Sequence, residues 1–220
     1  MGLREEIQAA FGEAAAEGGV RVLAVDGDDE VWVAGLGATD GTLEVRVGDR
    51  GPRRGLRRRR PDQGAMQALG FRDSFHDAWI LPLPPGTGQA ARGAAAAVSA
   101  LVDGLGVPAD ASAAVSFTQR GAQDLVAAVD ALTSGAEEVA FVSRVAGPNA
   151  VDMVAVGDRI RVEVLWPGDD PLELPGFELD GDEKLSRRQV EPDEAVAVAR
   201  TALDALGIGA SDPLLIHLGG

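Results

Sequence analysis

Asp103-Gly104-Leu105-Gly106-Val107 is matched 101 residues later by Asp204-Ala205-Leu206-Gly207-Ile208. The same offset carries Ala94 onto Ala195, Val102 onto Leu203, Val115 onto Ile216 and Phe117 onto Leu218. Upstream, Leu69-Gly70-Phe71 corresponds to Pro175-Gly176-Phe177, with five fewer residues in the second copy between this point and the later match. A period near a hundred residues exceeds the ~20–50 of solenoid units. It reads as the duplication of a whole small domain, expected at residues 1–112 and 113–220. Such a pair in one chain is the covalent counterpart of a symmetric dimer.

Composition sets the class. The chain is 45% hydrophobic and 25% charged, a globular balance. It has no cysteine, which excludes disulfides and thiolate metal sites and fits a reducing cytoplasm. The N-terminal segment is polar and acidic, so no signal peptide is readable. No apolar run reaches the ~18 residues of a membrane span. Abundant Ala, Gly, Val, Arg and Asp beside a single lysine and no tyrosine resemble the usage of a high-GC bacterial genome. The net charge of -15 disfavours nucleic acid and anionic membrane as partners. The exception is local: Arg50, Arg53, Arg54, Arg57, Arg58, Arg59 and Arg60 crowd into one Gly/Pro-rich loop.

Periodicity gives the elements. Leu3, Ile7, Ala10, Phe11 and Ala14 form one apolar helical face, stopped at Gly18-Gly19. Strands are expected over 20–25, 30–36 and 42–47, the last two joined at an Asp40-Gly41 turn. A short helix at 63–69, a strand at 78–83 and a long helix at 89–105 complete the first copy, with Gly106 as C-cap. The second copy is expected to restart with a helix over 119–133. Strands follow at 138–145, 151–156 and 159–166, then a weak strand at 185–190, a helix at 192–206 with Pro192 in its first turn, and an extended piece at 214–218. Each copy reads α-β-β-β-(α)-β-α, an α+β fold with an antiparallel sheet packed against helices.

Catalytic constellations are not legible. Gly35-x-Gly37-x-x-x-Gly41 has the wrong spacing for a phosphate loop and leads into a strand. His76 and His217 stand without a nucleophile nearby in sequence. Asp26-x-Asp28-x-Glu30 and Asp180-x-Asp182 lack the glycine and terminal glutamate of a calcium loop. The expectation is no enzyme, no cofactor and no metal. The arginine run has no interleaved aromatics, which argues against base stacking. Its readings are an intramolecular or solvent-facing loop, a site for an acidic partner, or phosphate contact. Trp32, Trp79 and Trp166 fall on expected strands, as core or as interface anchors.

Val31-Trp32-Val33-Ala34, Leu43-Glu44-Val45-Arg46-Val47, Leu69-Gly70-Phe71, Trp79 and the helix ending in Leu105-Gly106-Val107 together resemble the type III secretion chaperone-like and YbjN-like superfamily, particularly its tandem actinobacterial peptide-binding members. In the second copy the resemblance runs through Arg161-Val162-Glu163-Val164-Leu165, Gly176-Phe177 and the helix at 192–206. Pro175 stands where leucine is expected, and no tryptophan follows Phe177. The resemblance implies a cytoplasmic, non-enzymatic module that binds an extended peptide or protein client. It implies an intramolecular pseudo-dimer, with the oligomeric state of the chain left open between monomer and higher assemblies. Expected partner-binding residues are Trp32, Arg53, Arg54, Arg57, Arg58, Phe71, Trp79, Trp166 and Phe177. A rival reading is an immunity-type or regulatory adaptor that recognises one folded, basic partner through the acidic stretch from Asp169 to Asp182.

Overall fold

Leu3, Ile7, Ala10, Phe11 and Ala14 are all buried along one face of α1 (Leu3–Glu17), which packs on an antiparallel meander. The meander is β1 (Gly19–Val25), β2 (Asp28–Gly37) and β3 (Leu43–Asp49). The computed structural model describes residues 2–26, 28–49, 61–73, 78–147, 150–165, 174–180 and 185–219. Asp40 shapes the β2–β3 turn, its carboxylate accepting the Thr42 N–H at 2.8 Å, with Gly41 at φ +82°. Two glycines let helix and sheet approach. A Cβ on Gly35 would lie 2.5 Å from the Phe11 ring, and one on Gly37 only 1.9 Å from the Ala14 carbonyl oxygen. The glycine-rich stretch is thus a helix-packing device in strand β2.

The first unit, Met1–Thr118, continues with α2 (Gln63–Ala68), β4 (Arg72–Asp73), β5 (Ala78–Leu83) and α3 (Gln89–Ser99). A π-helical turn, Ala100–Gly104, extends α3, where a continuous α-helix to 105 was expected. Gly104 ends this turn against α2. Its carbonyl accepts the Asp62 N–H at 2.9 Å, and Met66 lies so close that a Cβ on Gly104 would sit 2.4 Å from the sulfur. The core under α1 and α3 holds Phe11, Leu23, Val33, Val45, Phe71, Trp79 and Leu101.

β6 (Ala113–Gly121) begins in this unit, beside β1, and its last residues fall in the second unit, Gln119–Gly220. The second unit then runs α4 (Leu125–Thr133), β7 (Val139–Arg144), β8 (Ala150–Val156), β9 (Arg159–Leu165), β10 (Glu178–Asp180), β11 (Leu185–Val190), α5 (Pro192–Ala205) and β12 (Leu214–Gly219). The helix expected over 119–133 starts only at Leu125. Asp124 sets that start, its carboxylate accepting the Ala127 N–H at 2.8 Å, and residues 119–121 are the end of β6. Among the described residues the first unit adds two strands to the expected pattern, the short β4 before β5 and β6 after the final helix, whereas the second adds the short β10, the extended piece expected at 214–218 being β12.

The fold is therefore α+β, with five α-helices among the described residues and antiparallel pairing throughout the registered strand pairs. Within the first unit the strand order is β6-β1-β2-β3-β5-β4, and within the second β12-β7-β8-β9-β11-β10. The two orders are the same when strands are counted along each unit. The paired glycines agree as well: Gly70 and Gly176 have φ +87° and +79°, and Gly106 and Gly207 +68° and +75°. No helix among the described residues is long and apolar enough to cross a membrane.

Candidate interaction surface

Alternation along the second unit's strands sorts side chains onto two faces. Ala140 and Val142, Val151 and Met153, Ile160, Val162 and Val164, and Leu214, Ile216 and Leu218 are buried beneath α4 and α5. The residues between them point the other way. On that outer face the register aligns one row across six strands. Glu178 lies opposite Arg187, Arg187 opposite Glu163, Glu163 opposite Asp152, Asp152 opposite Phe141, and Phe141 opposite His217. Directly opposed residues bring their side chains to within about 5 Å on one face.

The charges in this row are unequally matched. Glu163 is held by Arg161, two residues away on the same strand, through an Nε–carboxylate contact of 2.5 Å. Arg187 lies between Glu163 and Glu178 in register. Asp152 has Glu163 on one side and the Phe141 ring position on the other. It is half-buried, and no side chain among the described residues donates to it. Desolvation, and then the Glu163 charge, raise its pKa from 3.8 to about 6. Two large apolar residues of the same face stay open to solvent: Phe141 at 39% exposure and Leu165 at 63%.

The corresponding face of the first unit has a different chemistry. Its row runs Arg72, Ile80, Arg46, Ala34 and Val22, so alanine and valine occupy the places of Asp152 and Phe141. Trp32 lies over Gly48, where a Cβ would come within 2.4 Å of the indole. Trp32, Ala34, Leu36 and Ile80 are buried on this face. One ionic feature is common to the two rows: Glu44 and Arg46 on β3 contact at 2.5 Å, as Arg161 and Glu163 do on β9, with the order of charges reversed.

The residues singled out from sequence are distributed as follows. Phe71 and Trp79 lie in the first unit's core at 2% and 6% exposure. Trp32 is buried on the opposite side of the same sheet, and Phe177 is partly buried against the second core. Arg53, Arg54, Arg57, Arg58, Trp166 and His76 lie outside the described residues. Among the described residues, none of the partner-binding residues expected from sequence is an exposed side chain. The structure gathers Asp152, Glu163, Arg161, Phe141 and Leu165, none of which the sequence marks as partner-binding, although Arg161, Glu163 and Leu165 belong to the stretch that carries the family resemblance. A signal for them existed: a turn at Gly157-Asp158 sets residue 152 opposite residue 163 by simple counting. Among the described residues no group of three or more His, Asp or Glu is placed to hold a metal ion. Comparison with protein-family models, with curated proteins and with solved structures returned no match.

Proposed function

We propose that the chain is a cytoplasmic, non-enzymatic protein-binding module, two tandem copies of one α+β unit, whose second copy carries the binding face. The observation that carries the reading is the outer sheet face of that unit, where Phe141 and Leu165 stand exposed around a charged row. Exposed aromatic and aliphatic side chains among oriented charges are the means by which proteins hold protein segments. The tandem reading is supported by the repeated strand order and by the left-handed glycines at equivalent places. It accords with the resemblance to chaperone-like proteins, in which a pseudo-dimer of linked copies replaces two separate chains.

The test is a peptide array spanning unrelated sequences, read with the labelled full-length chain, together with suppression of aggregation of a chemically unfolded client. Micromolar binding to a subset of extended peptides, with suppression at near-stoichiometric amounts, is the expected result. An inert chain in both assays overturns the reading. Salt-sensitive binding to one folded basic protein, with no peptide bound, is the signature of the charge-recognising adaptor instead.

A further inference from the structure

We infer that the outer face of β7, β8 and β9 seats an extended protein segment through one cationic side chain set on Asp152, flanked by apolar side chains resting on Phe141 and Leu165. The inference rests on the protein-binding reading and names the chemistry of its partner.

Charge complementarity selects the occupant. On this face Arg161 neutralises Glu163, and Arg187 stands in register between Glu163 and Glu178. The carboxylate left over is Asp152. The groups facing it are Glu163 and Arg161 from β9 and Phe141 and Ser143 from β7, with His217 one strand further on β12. α4 and α5 lie on the opposite face and place no charge on this one. A partner guanidinium or ammonium at Asp152 supplies the missing positive charge, whereas an acidic or purely apolar segment leaves it uncompensated.

Spacing supports the same occupant. Phe141 is directly opposite Asp152, about 5 Å away, and Leu165 is diagonal to it at about 7–8 Å. Alternate side chains of an extended segment are spaced about 6.7 Å apart on one face. Three such side chains, apolar-x-Arg-x-apolar, span the patch. Because the seat requires the ionised carboxylate, binding is linked to loss of the Asp152 proton. With that proton leaving near pH 6, affinity falls about tenfold between pH 7.5 and pH 5.

The experiment uses the full chain and two fluorescent decapeptides of alternating apolar and polar residues, one with a central arginine and the other with glutamine there. Anisotropy titrations are run at pH 5 and 7.5 on the wild type and on Asp152→Asn. The expected result is at least fivefold preference for the arginine peptide at pH 7.5. That preference and its pH dependence are both lost in Asp152→Asn, while Phe141→Ser weakens both peptides. Equal binding of the two peptides, or an unchanged arginine preference in Asp152→Asn, overturns the inference and leaves the protein-binding reading standing. Binding of neither peptide also overturns it, and the fate of the broader reading is then decided by the unfolded-client assay alone.

Discussion

At the scale of single residues, glycines in this chain answer to two different demands. Gly37 is needed because the Ala14 carbonyl occupies the place of its Cβ, 1.9 Å away, and backbone cannot step aside as a side chain can. Gly37→Ala is expected to destabilise by about 3–4 kcal/mol in denaturant unfolding. Gly12, on α1 with nothing within 4 Å, is the contrast: Gly12→Ala is expected to stabilise by about 0.5–1 kcal/mol through helix propensity. Asp152 poses an electrostatic version of the same question. Its folded pKa of about 6 lies above the unfolded value of 3.8. Its contribution to stability is therefore fully present below pH 3.8 and is lost as pH rises through 6. Asp152→Asn is expected to raise stability at pH 8 by about 1 kcal/mol, after allowance for solvent screening of a half-buried group, and to change nothing at pH 3.5. Thermal melts at the two pH values measure the difference.

At the scale of elements, the sequence was most legible where periodicity was long. The helices at 3–17 and 192–205, the β2–β3 hairpin and the strands at 78–83 and 185–190 follow from apolar spacing and turn residues alone. β4 and β10, of two and three residues, are too short to carry any period, and only sheet neighbours define them. Of β6, the residues 119–121 fall inside the expected helix and 113–118 in a stretch given no element, because the alternation of Val115 and Phe117 is diluted by alanine and serine and the helical spacing reads backward past its true start. Asp124 is the residue that could have corrected this, as an N-cap four residues before Ala128. Asp124→Ala is expected to cost about 1 kcal/mol and to raise amide exchange in the first turn of α4. The candidate surface was illegible for another reason. Asp152 and Phe141 look unremarkable in their strands, and they acquire meaning only when strand register sets them side by side.

At the scale of the whole molecule, charge governs behaviour in solution. With a net charge of -15 and a pI near 4.5, the chain is expected to reach its solubility minimum near pH 4.5, seen as a maximum in light scattering. The two units share a strand order yet write the ion pair on the third strand of the meander in opposite directions, Glu44-x-Arg46 in one and Arg161-x-Glu163 in the other. Glu44 is fully buried, so a change at either position alone puts like charges together in a poorly solvated place. Glu44→Arg or Arg46→Glu singly is expected to cost about 2–3 kcal/mol, and the double exchange to recover most of it, as a double-mutant cycle reads directly. The consequence is evolutionary: an exchange of sign at one position of such a buried pair is costly by itself, so the two positions change sign together. Related sequences are expected to show the two positions covarying in sign.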